Sequence, residues 1–198
     1  GKVAATFSDA LGMDQTQIMQ QITADITDMG ADTVVQFGRI PGKLEQATMK
    51  ARLLGTTMEN LSKAGETMLN IESSVGAEME YQLLTGKRML DQDGKSLTNA
   101  FRTAQLQGDG VKQAELMQHF LEEHSEELDN NFLARKKASE IFGTDAATLM
   151  EMKRTLALTK ELGVDDLVTQ AKGDLKKLEA QLLARKIDTD QIDQIIKG

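Results

Sequence analysis

The chain has 198 residues, with 31 acidic and 23 basic side chains for a net charge of −8, no cysteine and no run of 18 apolar residues. Disulfides, thiolate catalysis and cysteine metal sites are therefore excluded, no basic stripe is present to neutralise nucleic-acid phosphates, and no segment is apolar enough to span a bilayer as a helix. The Gly start suggests a tag remnant, a processed product or an excised fragment.

Hydrophobic spacing predicts helices at about 14–29, 42–54, 57–85, 96–107, 111–124, 126–141, 145–161, 165–186 and 189–197. Between the first two, Val34, Val35 and Phe37 fit either a short strand or a helical turn, and Pro41 with Gly42 marks a tight bend. A recurrent stop separates the helices: Leu11-Gly12 before Asp14, Leu54-Gly55 before Thr56, Phe142-Gly143 before Thr144 and Asp145, and Leu162-Gly163 before Asp165. Glycine can end one helix in the left-handed conformation, and the following Thr or Asp can accept the free amide hydrogens of the next.

The predicted helix 57–85 is the longest of those before the C-terminal region. Leu61, Ala64, Met68, Ile71, Val75, Met79 and Leu83 form a packing seam along one side, 22 residues in six steps. The mean step of about 3.7 is nearer an eleven-residue than a seven-residue period, so straight packing is favoured over a leucine zipper. Gly65 and Gly76 interrupt this helix, either to admit a close neighbour or to make it easy to bend. Thr85-Gly86 followed by Lys87 and Arg88 reads as its stop, with cations at the negative helix end. Thr85-Gly86-Lys87 is not a phosphate loop, because position 81 is Tyr where that loop has Gly.

The fold class that follows is all-α, an array of helix hairpins around one long helix at about 57–85, which allows an elongated shape. The division along the chain is 1–90, an N-terminal helical region with the long helix; 91–163, a hairpin region; and 164–198, a C-terminal arm. That arm carries Leu167, Ala171, Leu175, Leu178 and Leu182 on one side, and its basic stretch Lys172 to Lys186 alternates with Asp174 and Glu179. Eleven methionines against six Phe and one Tyr suit either an adaptable core or a partner-binding surface.

Three groupings have residue types that could carry chemistry. Asp91-Gln92-Asp93-Gly94 is similar to a calcium loop, but alignment on Gly94 puts Met89 and Ala100 at ligand positions, so a polar turn is expected. His119 and His124 are five residues apart and face different ways; His119 with Glu123 could share a metal, while surface histidines beside acids are the plainer expectation. The run Glu122, Glu123, Glu126, Glu127 and Asp129 could supply an acid and base for glycoside hydrolysis, yet reads better as a solvated face, since almost no aromatics lie near it to bind sugar.

The segments ESSVGAEMEYQLLTGK (72–87), AFRTAQLQGD (100–109) and ASEIFGTDAATLMEM (138–152) together resemble a repeated block of bacteriophage tape-measure and internal virion proteins. The resemblance covers about residues 50–162 and rests on Glu72, Ser73, Ser74, Glu78, Met79, Glu80, Leu83, Leu84, Thr85, Gly86 and Lys87. Between Leu90 and Phe101 the turn DQDGKSLTN departs from the family's pattern. The resemblance implies a structural protein of the virion, in the tail lumen or at the tail tip, made in the bacterial cytoplasm. It implies no catalytic residues and no cofactor, and its partners would be copies of itself and the tube, hub or baseplate. Two alternatives stay open: a cellular all-helical interaction module of adaptor or chaperone type, and a tail-associated peptidoglycan hydrolase.

Overall fold

A computed structural model describes residues 15–40 and 42–161 and six further positions, 163, 166, 170, 172, 174 and 177. The fold is all-α. In chain order the described helices are α1 (Gln15–Asp28), α2 (Ala31–Phe37), α3 (Lys43–Leu53), α4 (Met58–Leu69), α5 (Ile71–Thr85), α6 (Leu97–Gln107), α7 (Gly110–Glu123), α8 (Ser125–Asn130), α9 (Phe132–Ile141) and α10 (Ala146–Glu161). Among the described residues the one extended pairing is an isolated antiparallel bridge between Leu90 and Ser96.

Most helix starts follow one device, a side-chain oxygen that accepts an amide hydrogen three residues on. Thr57 accepts from the Asn60 amide at 3.2 Å, Ser96 from Asn99 at 3.3 Å, Asp109 from Lys112 at 3.0 Å, and Asp145 from Thr148 at 2.7 Å. The cap after Gly55 is thus Thr57, one residue beyond the expected Thr56, which is itself buried. Gly55 and Gly143 take φ of 68° and 59°, the left-handed stops that the recurrent turn requires. Of the other two expected turns, Leu11-Gly12 with Asp14, and Leu162 with Asp165, lie outside the described residues, as does Pro41.

Two predicted helices are each broken in two. The expected 57–85 helix ends at Leu69 and restarts at Ile71, because Asn70 adopts φ −74°, ψ 93° and serves at once as the end of α4 and the cap of α5. Its carboxamide accepts from the Ser73 amide at 3.2 Å, a local bond that competes with continuing the helix. The Met68 carbonyl at that end takes a bond from Arg102 Nη1 at 3.2 Å. The expected 126–141 helix likewise breaks at Asn131, whose side chain accepts from the Ala134 amide at 3.0 Å. The stretch with Val34 and Val35 is the helix α2, held by buried Thr33 and Phe37. Of the expected 165–186 helix most positions lie outside the described residues; Lys172 has φ 51°, and Asp174 accepts a hydrogen bond from the Lys177 amide at 3.0 Å; 189–197 also lies outside the described residues.

The core draws on residues from Phe37 to Leu156, and α7 runs through it, burying Val111, Ala114, Leu116, Met117, Phe120 and Leu121. It packs against α3, α4, α6, α8 and α10, while α5 packs chiefly on α9. Phe142 links the aromatics, with ring centroids 5.9 Å from Phe101 and 4.8 Å from Phe120. Six of the methionines, at 49, 58, 68, 89, 117 and 152, are buried, and their unbranched chains fill the gaps that so few aromatics leave.

The two interior glycines of the predicted long helix have different reasons. A methyl on Gly65 would overlap the side-chain amides of Gln105 and Gln113, which bond each other at 2.6 Å in the buried interface of α4, α6 and α7. A methyl on Gly76 would meet nothing within 4 Å. In urea melts Gly65→Ala is expected to cost about 1–3 kcal/mol through overpacking, whereas Gly76→Ala should add roughly 0.5–1 kcal/mol from helix propensity. Equal effects from the two substitutions would contradict this assignment.

Candidate functional site

Helix α5 has an inner and an outer side. Ser74 and Tyr81 are seven residues apart, nearly two full turns, and both are buried. Ile71, Val75, Met79 and Leu83 follow at steps of four on another side and are 63%, 38%, 62% and 84% exposed. The predicted seam therefore divides at Asn70: Leu61, Ala64 and Met68 lie in the core, and the four residues of α5 face solvent. A continuous helix would have kept all seven on one face, and the break redirects the second half.

The polar residues of the segment 72–87 hold α5 in place. Ser73 closes on the Asn70 cap, and exposed Glu72 lies in the first turn, where the helix dipole favours a carboxylate. Ser74 Oγ accepts from Arg102 Nη1 at 2.7 Å and lies 3.3 Å from the Met68 carbonyl. Glu78 accepts hydrogen bonds from the hydroxyls of Thr98 and Ser96 at the start of α6. Glu80 pairs with Lys137 of α9 at 2.6 Å. At the far end Thr85 Oγ1 donates to the Tyr81 carbonyl at 2.8 Å and accepts from the Lys87 amide, and Gly86 has φ 70°. Lys87 Nζ donates to the Glu123 carbonyl and stands 3.6 Å from Glu127. The apolar members Met79, Leu83 and Leu84 are instead exposed.

Beneath α5 lies a buried titratable cluster that spacing along the chain does not reveal. Tyr81 is fully buried and His124 is 2% exposed, with Tyr81 Oη 3.0 Å from His124 Nδ1. His124 occupies the junction of α7 and α8 at φ −106°, ψ 18°; its ring stacks on Phe120 at 4.9 Å and meets Tyr81 edge-on at 5.3 Å. The surface histidine expected at 124 is thus a core residue, whereas His119 is half-buried. Burial, reinforced by the positive charge of Lys87, lowers the His124 pKa to about 4. Burial and the nearby Glu127 carboxylate push the Tyr81 hydroxyl well above its usual range. Both groups are therefore neutral at pH 7 and share one hydrogen bond. Beside them Glu127 Oε2 is buried with no hydrogen-bond partner.

The other acids of that run, Glu122, Glu123, Glu126 and Asp129, are exposed. Glu122 pairs with Lys160 and Asp129 with Lys153, each at 2.6 Å, across a shallow groove of about 740 Å³ between α7–α8 and α10. Asp91 Oδ1 accepts from the amides of Asp93 and Lys95 at 2.9 and 2.8 Å, and Gly94 has φ 75°, so the calcium-like sequence forms a polar turn. Among the described residues no group of three His, Asp or Glu side chains is placed to hold a metal, and no helix is long and apolar enough to cross a membrane. No protein-family model matches the chain, and comparison with curated proteins and with solved structures finds nothing similar to it.

His124 makes stability depend on pH. Its folded pKa lies below the ordinary 6.5, so the unfolded chain takes up a proton first as pH falls. This contribution is complete above pH 6.5 and is lost progressively down to about pH 4, by which point the accumulated loss is about 3 kcal/mol. Thermal melts at pH 7.5, 5.5 and 4.5 are expected to show a smaller acid-induced loss for His124→Gln than for the parent chain. Parallel losses would remove His124 as the cause.

Proposed function

We propose that this chain is a non-enzymatic structural protein of a bacteriophage virion, a tape-measure-like component of the tail lumen or tail tip. The observation that carries the reading is the uncovered stripe Ile71, Val75, Met79 and Leu83, three of whose four residues lie within the segment 72–87 on which the family resemblance rests. A stripe of that kind on an otherwise well-anchored helix serves association, since exposed contiguous apolar surface costs free energy in water until a partner covers it. Copies of the chain and the tube, hub or baseplate are the partners this role calls for. The sealed Tyr81–His124 pair lends nothing to a peptidoglycan hydrolase, because neither group reaches solvent.

One observation favours the second reading, a cellular helical interaction module. The described helices gather on one core from Phe37 to Leu156, as a compact adaptor with an apolar docking face would. The two readings differ in where the protein ends up. Mass spectrometry of purified virions of the phage that encodes the chain is expected to recover its peptides, enriched in the tail fraction. Peptides confined to the soluble lysate of infected cells, with none in virions, would decide for the module.

A further inference from the structure

The outer face of α5 has an acidic rim. A cleft of about 310 Å³ between α5 and α9 borders it, lined by Glu72, Gly76, Glu80, Lys137 and Glu140, and Glu78 of α5 accepts from Ser96 before α6. Lys137 is the lone cation of that group and already pairs with both Glu80 and Glu140. A partner that fits must therefore bring apolar residues at helical spacing together with positive charge.

One stretch of this chain has that composition. From Leu175 to Lys186 the sequence places Leu175, Leu178 and Leu182 at steps of three and four, with four cations, Lys176, Lys177, Arg185 and Lys186, against one anion, Glu179. Just before it, Asp174 accepts a hydrogen bond from the Lys177 amide. As a helix, Leu175 to Leu182 covers about 10 Å, within the roughly 18 Å from Ile71 to Leu83. The same chain's Lys172 carbonyl lies beside Gly42, at the start of α3, which packs on α1 and α7, whereas α5 packs on α9, α4 and α6. A second molecule's stretch is thus the simpler occupant.

We infer that the α5 face receives the basic segment 175–186 of another copy of this chain, joining copies head to tail. This deepens the assembly reading and rests on it. Such a contact is heterologous: each molecule offers a face and a segment, so association continues until a ring closes or the ends are capped. The acidic rim and basic segment make it weaken with salt.

The test uses two full-length variants, a face variant Met79→Asp/Leu83→Asp and a segment variant Leu178→Asp/Leu182→Asp, followed by sedimentation velocity and checked for helix content by circular dichroism. The parent chain is expected to grow beyond a dimer with concentration, and to dissociate about tenfold more readily when sodium chloride rises from 50 to 500 mM. Each variant alone should remain monomeric, and an equimolar mixture should form a 1:1 dimer, since the segment variant's intact face can take the face variant's intact segment. Should Met79→Asp/Leu83→Asp lose helix content, Met79→Ser/Leu83→Ser replaces it in the same scheme. A monomeric parent chain, a mixture that stays monomeric, or a segment variant that still dimerises would each overturn the inference, the last in favour of α5 pairing with α5. None of these outcomes decides the virion assignment, which is tested separately by the search for its peptides in purified particles.

Discussion

The Arg102 guanidinium at the end of α4 is the contact on which the arrangement of this molecule turns. It is buried, and the acceptors it reaches are neutral: the Met68 carbonyl, Ser74 Oγ and Asn99 Oδ1. A buried cation bonded to neutral oxygens is costly unless something else favours positive charge there. Here the negative end of the α4 dipole does so, and the carbonyl that Arg102 occupies would have carried the helix onward had Asn70 not diverted the chain. One side chain thus satisfies the broken end and fixes the direction of α5.

From that direction follow both sides of α5. The inner line is consumed by the fold: Ser74 belongs to the Arg102 clamp, and Tyr81 closes over His124 and Phe120. Burial against the Phe120 ring, with the positive charge of Lys87 adding to it, keeps His124 neutral in this packing. The outer line lies largely in solvent and has no member in the core. Among the described residues the packing relies on helices of six to sixteen residues, held by caps and buried methionines.

Much of this was legible in the sequence, and the failures share a cause. Helix type, most boundaries, the glycine stops at 55, 86 and 143, the polar turn at Asp91 and the anchoring of 72–87 as a helix end all follow from local chemistry. Asn70 and Asn131 were missed as breaks, although asparagine is a preferred cap and each sits three residues before the amide it binds. The apolar period runs unbroken through Asn70, and period outweighed the cap. What could not be read locally is which half of the stripe would be buried, since Arg102 lies 34 residues beyond Met68. The Tyr81–His124 pair has the same character, its members standing 43 positions apart. The sequence separates such partners, and only the folded path of α7 returns them to one place.

The split between the two sides of α5 also bears on how such a chain can diverge. Substitutions on the inner line disturb a clamp, a cap or a buried ring, and so are filtered by folding itself. The outer positions, being 38–84% exposed, can be exchanged with little effect on whether the molecule folds. Lineages can therefore rewrite the exposed face while the polar anchors beneath it stay put, and kinship should survive longest in the buried line.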